Sequence, residues 1–451
     1  MTIGLSGALA PTKPAQAESR ISLIRDAEIE NTIHAFAKPL LQAGNLDPAT
    51  LKIHLVNNPT LNAFVSHGMN LFIHTGLLMR VEDPSELIGV MAHEFGHIIG
   101  GHIILRQAQI ESAQKKMWLS YVLGAAAALA TGRSDAFVGV ALGTQSAIAE
   151  SVMSFSRSEE SQADQAGTEL MDKIGMSCAG LLKFMRILQG QELLVTTSQD
   201  PYLRTHPLTR DRVKFIENHV AAAGLPADTV PAEWKRAYAR IRAKLFGFME
   251  ATGRTLQRYP ESDDSIPARY GRAIALYRQA DTAQAVKMID GLLAQVPGDP
   301  YFLELKGQVL FESGNVAAAI PPYRESVRVA PDNPPILLGL ARALITDGTP
   351  PELAEAAEAL RRAIRLEPDD PTYWKQLAIA RGRAGFEAEA AYAMAEYTVQ
   401  MGNYREARFQ AGKALQGLPA GTPMHLRAED ILAESEIQLQ KKRTNTSGHR
   451  R

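Results

Sequence analysis

Hydrophobic positions in the first hundred residues recur with two different periods. Ile21, Leu23, Ile24, Ile29, Ile33 and Phe36 form a rough helical face over residues 18–45, a region that Pro39 and the pair Gly44-Asn45 are expected to close. Leu51, Ile53 and Leu55 then alternate with Lys52 and His54, the period of a half-buried strand. Residues 62–65 and 70–74 repeat that alternation, with Ser66-His67-Gly68-Met69 as the turn between them. A small antiparallel β-sheet is therefore predicted. After it, Asp83-Pro84-Ser85-Glu86 offers an N-cap, a proline at the first helical position and a glutamate three residues after the cap. Leu87, Ile88, Val90 and Met91 carry that helix forward into a run of polar residues. The rest of the chain reads as helix, so the fold class is mostly α with a small antiparallel sheet.

The pattern changes after residue 264. Pro297 and Pro331 are 34 positions apart, and Pro368 follows after 37, with Thr349-Pro350-Pro351 accommodating the extra three in a turn. A small-residue position recurs as Ala285, Ala319, Ala356 and Ala390, while Gly314, Gly348 and Gly385 fall at turns between helices. A period of 34 is that of stacked helix–turn–helix units. Three to four units are expected between 264 and 418, forming an α-solenoid. Gly402-Asn403-Tyr404 repeats the turn after only 17 residues, which predicts a slip of half a unit.

These patterns divide the chain into a leader (1–17), a first domain (18–251), a linker (252–263), the repeat array (264–418) and a terminal helix with a basic disordered tail (419–451). The leader ends in Ala15-Gln16-Ala17, an A-x-A cleavage signature, and reads as the remnant of a secretory signal. Residues 113–153 are rich in Ala and Gly and read as a helical hairpin. Within them Met117–Ala130 covers about 21 Å as a helix, short of a hydrocarbon core of about 30 Å. Lys115, Lys116, Trp118 and Tyr121 at its start make 117–142 a candidate for peripheral membrane contact.

Composition narrows the chemistry. Lys plus Arg number 48 and Asp plus Glu 49 in 451 residues, so there is no nucleic-acid footprint. Cys178 is the only cysteine, which rules out an intramolecular disulfide and is read as excluding thiolate zinc sites.

The candidate chemistry lies in His93-Glu94-Phe95-Gly96-His97. Two histidines four apart project from one helical face, and a glutamate beside the first can handle a proton without being aimed as a ligand. A catalytic zinc site keeps three protein ligands and an open position. The third ligand is sought in Ser156-Arg157-Ser158-Glu159-Glu160-Ser161-Gln162-Ala163-Asp164, where Glu160 and Asp164 share a helix face. One carboxylate of that pair can bind metal while the other accepts the ring N–H of a ligating histidine. His54, His67 and His74 read as ordinary strand or turn residues. His102 stands five positions after His97, about 140° round a continuous helix, and reads as structural.

His93-Glu94-Phe95-Gly96-His97 followed by Ser156-Arg157-x-x-Glu160-x-x-Ala163-Asp164 resembles the zinc peptidases grouped with the CAAX prenyl protease and the bacterial heat-shock membrane protease. Leu61-Asn62-Ala63-Phe64 and Thr75-Gly76-Leu77-Leu78 match that family's strands before the zinc helix, and the likeness covers about residues 20–250. It implies a zincin-type domain with one zinc ion held by His93, His97 and Glu160, Glu94 as general base and Asp164 supporting a ligand. The family register selects Glu160 over Glu159. Thr205-His206-Pro207-Leu208-Thr209 also resembles a family element, and His206 there is either a latch on the fourth zinc position or a donor to the oxyanion.

The repeat array resembles tetratricopeptide repeats (TPR). A zinc peptidase joined to such an array is similar to periplasmic members of the group. That implies a periplasmic endopeptidase, possible membrane association, and unfolded or misassembled outer-membrane proteins as substrates. It further implies chaperone activity and association with the barrel-assembly machinery through the repeats. The alternative reading is a latent or chiefly non-proteolytic TPR scaffold.

Overall fold

Alternating burial builds the sheet of the first domain. The computed structural model describes residues 22–105, 156–192 and 201–448. The leader 1–17, the whole small-residue insert at 113–153 and its candidate membrane contact at 117–142 lie outside the described residues. Strands β1 (Leu23–Ile24), β2 (Lys52–Val56), β3 (Ala63–Ser66) and β4 (Asn70–His74) pair in the order β1-β2-β4-β3. Ala63, Val65, Leu71 and Ile73 face the core. On the other face Phe64 stacks on Phe72 at 4.9 Å, and Phe72 on His54 at 4.5 Å.

The sheet is mixed, which corrects the antiparallel expectation. After β2 the chain passes to the far edge, lays down β3 and turns back, so β4 fills the gap parallel to β2 (Lys52↔Asn70 through Val56↔His74). Only β1–β2 and the β3–β4 hairpin are antiparallel. Strand β3 is thus an edge strand. The helix expected over 18–45 is shorter, because β1 precedes α1 (Ala27–Ala43). Pro39 lies inside α1 rather than closing it; Gly44 and left-handed Asn45 (φ 56°) end it.

Helix α2 (Thr75–Arg80) leads into α3 (Pro84–Ile99), whose start follows the capping rule: Asp83 accepts from Ser85 N–H, and the Glu86 carboxylate accepts from Asp83 N–H. Leu87, Ile88, Val90, Met91 and Phe95 bury α3 in the centre of the domain. Around it pack α4 (Arg157–Lys173), α5 (Ala179–Glu192), α6 (Pro201–Thr205), α7 (Arg210–Ala223) and α8 (Ala232–Met249). Among the described residues no helix is long and apolar enough to cross a membrane.

The expected linker is packed structure. Residues 252–258 form α9 (Thr252–Arg258), where buried Thr255 donates to Phe246 O at 2.8 Å. Arg272 then donates to the carbonyls of Pro260 and Asp263 at 2.6 and 2.7 Å. These bonds satisfy the connecting backbone, so it does not behave as a free tether.

Five antiparallel helix pairs follow. They are α10 (Ile266–Arg278) with α11 (Thr282–Gln295), α12 (Pro300–Glu312) with α13 (Val316–Val329), and α14 (Pro334–Asp347) with α15 (Pro350–Leu366). Next come α16 (Pro371–Arg383) with α17 (Glu387–Gln400), and α18 (Tyr404–Leu415) with α19 (Pro423–Gly448). The expected half-unit slip does not occur, because Gly402 occupies the turn between pairs, as Gly298 does earlier. The tail expected to be disordered from Lys441 stays helical to Gly448, in keeping with the helix propensity of Gln440, Lys441 and Lys442. Gly307 and Gly339 leave room for the Tyr323 ring, which wedges between α12 and α14; a Cβ at either would meet it at 2.7 Å.

The array docks on the first domain. Arg25 reaches Glu367 at 2.8 Å and Asp370 at 3.0 Å, and Lys52 reaches Asp369 at 2.8 Å. Such part-exposed pairs contribute about 0–1 kcal/mol each. More cohesion comes from the cluster of Tyr270, Ile274 and Phe302, against which Phe248 of α8 packs, and from the buried Tyr270 hydroxyl donating to Glu28 at 2.9 Å.

Candidate metal centre

Close approach of two helices assembles the site. A Cβ on Gly96 of α3 would lie 2.4 Å from Ala163 O, and one on Gly167 of α4 would lie 3.1 Å from Ala92 O. With hydrogen at both positions the backbones nearly touch, and Glu160 and Asp164 come against His93 and His97. Ser156 and Glu159 form the capping box of α4, with Ser156 N–H donating to Glu159 at 2.8 Å. That leaves Glu160, fully buried, as the carboxylate facing the histidines.

The distances define a tripod. Nε2 of His93 and Nε2 of His97 are 3.2 Å apart. Glu160 Oε2 lies 3.4 Å from the first, and Oε1 3.4 Å from the second. Donors about 2.0–2.1 Å from a tetrahedral zinc ion stand about 3.3–3.4 Å from one another, so the two nitrogens and the carboxylate, one oxygen toward each, lie at a spacing compatible with zinc. A ring nitrogen of His206 joins them within 4.8 Å.

Each candidate ligand is held from behind. Asp164 Oδ1 faces His93 Nδ1 at 2.9 Å, favouring the tautomer that leaves Nε2 with its lone pair. Arg212 in turn grips Asp164 through Nε at 2.6 Å and Nη2 at 2.9 Å, and its Nη1 lies 2.5 Å from Glu160 Oε2. His97 Nδ1 meets His102 Nδ1 at 3.0 Å, and His102 Nε2 meets Gln162 Oε1 at 3.1 Å. With His97 offering Nε2 to metal, the proton order is His97 Nδ1–H to His102 and His102 Nε2–H to Gln162. His102 does not continue the helix. The chain breaks at Gly100 and left-handed Gly101 (φ 67°), and the His102 ring folds over Gly100, where a Cβ would lie 2.5 Å away.

Electrostatics within the cluster suit a cation. Burial alone would depress His93, but the Asp164 and Glu160 carboxylates outweigh it and hold its imidazolium up to about 10. Burial and the neighbouring His93 and His206 push His97 down to about 3, against the pull of Glu160. Glu160 is held far below the usual carboxylate range: the surrounding histidines overcome the opposing effect of burial. Burial raises Glu94, opposed by His206 and His93. Its Oε2 accepts from Val65 N–H of edge strand β3 at 3.2 Å, and its Oε1 has no hydrogen-bond partner among the described residues.

The structure therefore brings His93, Glu94, His97, Glu160, Asp164 and His206 into one buried cluster. His206 follows α6, stacks on Tyr202 at 4.6 Å and places Nδ1 3.0 Å from Glu160 Oε1, with Nε2 3.5 Å from Glu94 Oε1. His54 and His74 lie elsewhere, bonded to Asn70 and Thr60. Sequence reasoning missed Arg212 and the His102 relay. For Arg212 a signal was present: an arginine three positions after the Thr209 cap and six after His206.

Comparison with known proteins places these features. Residues 24–220 match peptidase family M48, and residues 270–334 and 310–379 match two tetratricopeptide-repeat families. The beta-barrel assembly-enhancing protease of Yersinia pestis is 26% identical over 401 residues, covering 87% of this chain and 80% of that protein. Its namesake in Escherichia coli (strain K12) is 26% identical over 364 residues, covering 79% and 73%. The mitochondrial metalloendopeptidase OMA1 of Homo sapiens is 26% identical over 179 residues, covering 38% of this chain and 32% of its own length.

Proposed function

We propose that this chain, an M48 metalloprotease domain carrying a TPR array, is a zinc-dependent endopeptidase of the bacterial envelope that cleaves unfolded or misassembled outer-membrane proteins. One observation carries the enzymatic part: the tetrahedral spacing of His93, His97 and Glu160 with the Glu94 carboxylate beside it. His93 and His97 through Nε2, and Glu160 through its carboxylate, would hold one zinc ion. Bound there, zinc supplies Lewis acidity to the scissile carbonyl and makes water a nucleophile at neutral pH.

The remaining steps belong to the chain's own residues. Glu94 takes a proton from the attacking water and returns it to the leaving amine nitrogen as the C–N bond breaks. Burial raises its carboxyl, which moves the base toward the working pH. The outer edge of β3 runs beside Glu94 and would align an extended peptide by strand addition. One reading makes His206 a latch. Arg212 ties its loop to the site by donating to Pro207 O at 2.9 Å while gripping Asp164, so the ring is held against the ligand set in this state. The second reading makes His206 a donor to the oxyanion, and Nε2, 3.5 Å from Glu94 Oε1, is the nitrogen that would reach it.

The relatives' name, which speaks of β-barrel assembly, and the repeats, which offer a protein-binding surface, support a protease that works on protein partners. The periplasmic location, the β-barrel substrates, the docking to the barrel-assembly machinery and the chaperone activity are part of the proposal itself. A cavity of about 380 Å³ between the array and the first domain, lined by Arg25, Lys244, Glu304, Phe311, Tyr323 and Arg342, suits a polar and aromatic protein segment. Wild type is expected to cleave casein and unfolded porin, and Glu94→Gln to lose cleavage while keeping zinc. A Glu94→Gln variant that still cleaves would overturn the mechanism; a wild type that binds zinc and partner yet never cleaves would favour the scaffold reading.

A further inference from the structure

Among the described residues a second trio of metal-binding side chains converges away from the His93 centre. Asp172 stands at the end of α4, Cys178 in the turn before α5, and His219 in α7. One ligand atom from each lies within 4.8 Å of the others. His219 Nε2 is 3.1 Å from Asp172 Oδ1, a spacing that suits two ligands of one ion as well as a hydrogen bond. Cys178 is only 2% exposed, and its thiol has no hydrogen-bond partner among the described residues. The thiol thus belongs to the hydrophobic core while lying within 4.8 Å of an imidazole nitrogen and a carboxylate oxygen, which brings a soft donor, an intermediate donor and a hard donor to one point.

We propose that Asp172, Cys178 and His219 form a second divalent-metal site, of the zinc class, that clamps α4 to α7. A single cysteine excludes only centres with two or more thiolates, so the exclusion of every thiolate site is too broad. A lone cysteine leaves open one thiolate completed by an imidazole, a carboxylate and water, a donor set zinc accepts. Asp172, 44% exposed, and His219, 23% exposed, would give an ion access, while buried Cys178 would supply the soft ligand. Burial, with Asp172 adding to it, pushes the thiol up to about 12, so it is protonated when no ion is bound. On binding, the sulfur–metal bond forms, the S–H proton passes to solvent, and nothing is oxidised or reduced.

The position of the trio gives the clamp its consequence. Helix α4 carries Glu160 and Asp164, and α7 carries Arg212 and follows His206. Arg212 meets Asp164 near one end of the helix pair, and His219 meets Asp172 seven and eight residues further along. The two helices thus run side by side in the same direction, and the two contacts are about 12 Å apart along α4. An ion at the far contact would restrict the splay of the helices that hold the His93 centre together.

Cobalt(II) titration of the full-length protein tests this. A thiolate ligand produces a near-ultraviolet sulfur-to-cobalt charge-transfer band, and the His93 centre, with only nitrogen and oxygen donors, cannot. Wild type is expected to show the band with a second equivalent of cobalt, and zinc to abolish it. His219→Gln should weaken that affinity by about tenfold or more, Cys178→Ser should remove the band, and a His93→Ala/His97→Ala double variant should keep it. No band in wild type, or an undiminished cobalt affinity in His219→Gln, would overturn the proposal. Should Cys178→Ser fail to fold, His219→Gln decides, since His219 is partly exposed.

Discussion

Gly96 of α3 lies against the backbone of Ala163, so near that a single methyl group would stand 2.4 Å from the Ala163 carbonyl oxygen. This contact sets how closely Glu160 approaches His93 and His97. Gly96→Ala is expected to force α3 and α4 apart, weaken zinc binding and cost about 1–3 kcal/mol of stability through overpacking. Competition with a chelator, alongside urea unfolding, measures both. Unchanged zinc affinity in that variant would show that the helix separation does not control the tripod.

Arg212 is the buried hub behind the candidate ligands, contacting both Asp164 and Glu160. Removing one partner from a buried ion pair leaves uncompensated charge and costs about 3–5 kcal/mol. Arg212→Met should therefore lower the urea midpoint far more than a surface Arg substitution such as Arg361→Met, whose pair with Glu358 is exposed. Metal content should fall as well, because Asp164 loses its orientation.

For His206→Ala the two roles predict opposite signs. A latch predicts at least a severalfold rise in casein cleavage at constant zinc content. An oxyanion donor predicts a loss of about a hundredfold or more. Steady-state rates on a fluorogenic casein distinguish them, and an unchanged rate excludes both.

The junction between the domains carries a pH signature. Burial pushes the Glu304 carboxyl up to about 7, against the pull of Lys244, with Asp26 and Glu28 crowding it further. The folded chain therefore retains a proton that the unfolded chain has released above its ordinary carboxylate value near 4.5. Stability from this group is fullest below that value, declines as pH rises toward about 7, and is flat above. Glu304→Gln should remove this component of the decline. Urea midpoints at about pH 5 and about pH 8 check it; an identical slope in wild type and Glu304→Gln would place the titration elsewhere.

What could be read from the sequence was local. The capping box at Asp83 and Glu86, the i and i+4 placement of His93 and His97, the alternation in β3 and β4, and the period of the helix pairs each depend on residues within one or two turns or one hairpin. Backbone geometry alone relates such neighbours, so their pattern is visible in the order of letters. The tertiary structure decided the rest. The parallel β2–β4 pairing, the Arg212 grip on Asp164, the return of His102 onto His97 and the docking of the array through Arg25 join residues whose separation carries no period. Which faces meet depends on packing and burial summed over the whole core. At Gly96 the deciding quantity was a missing methyl group, and a missing atom has no signature until its neighbour 67 positions away is in place.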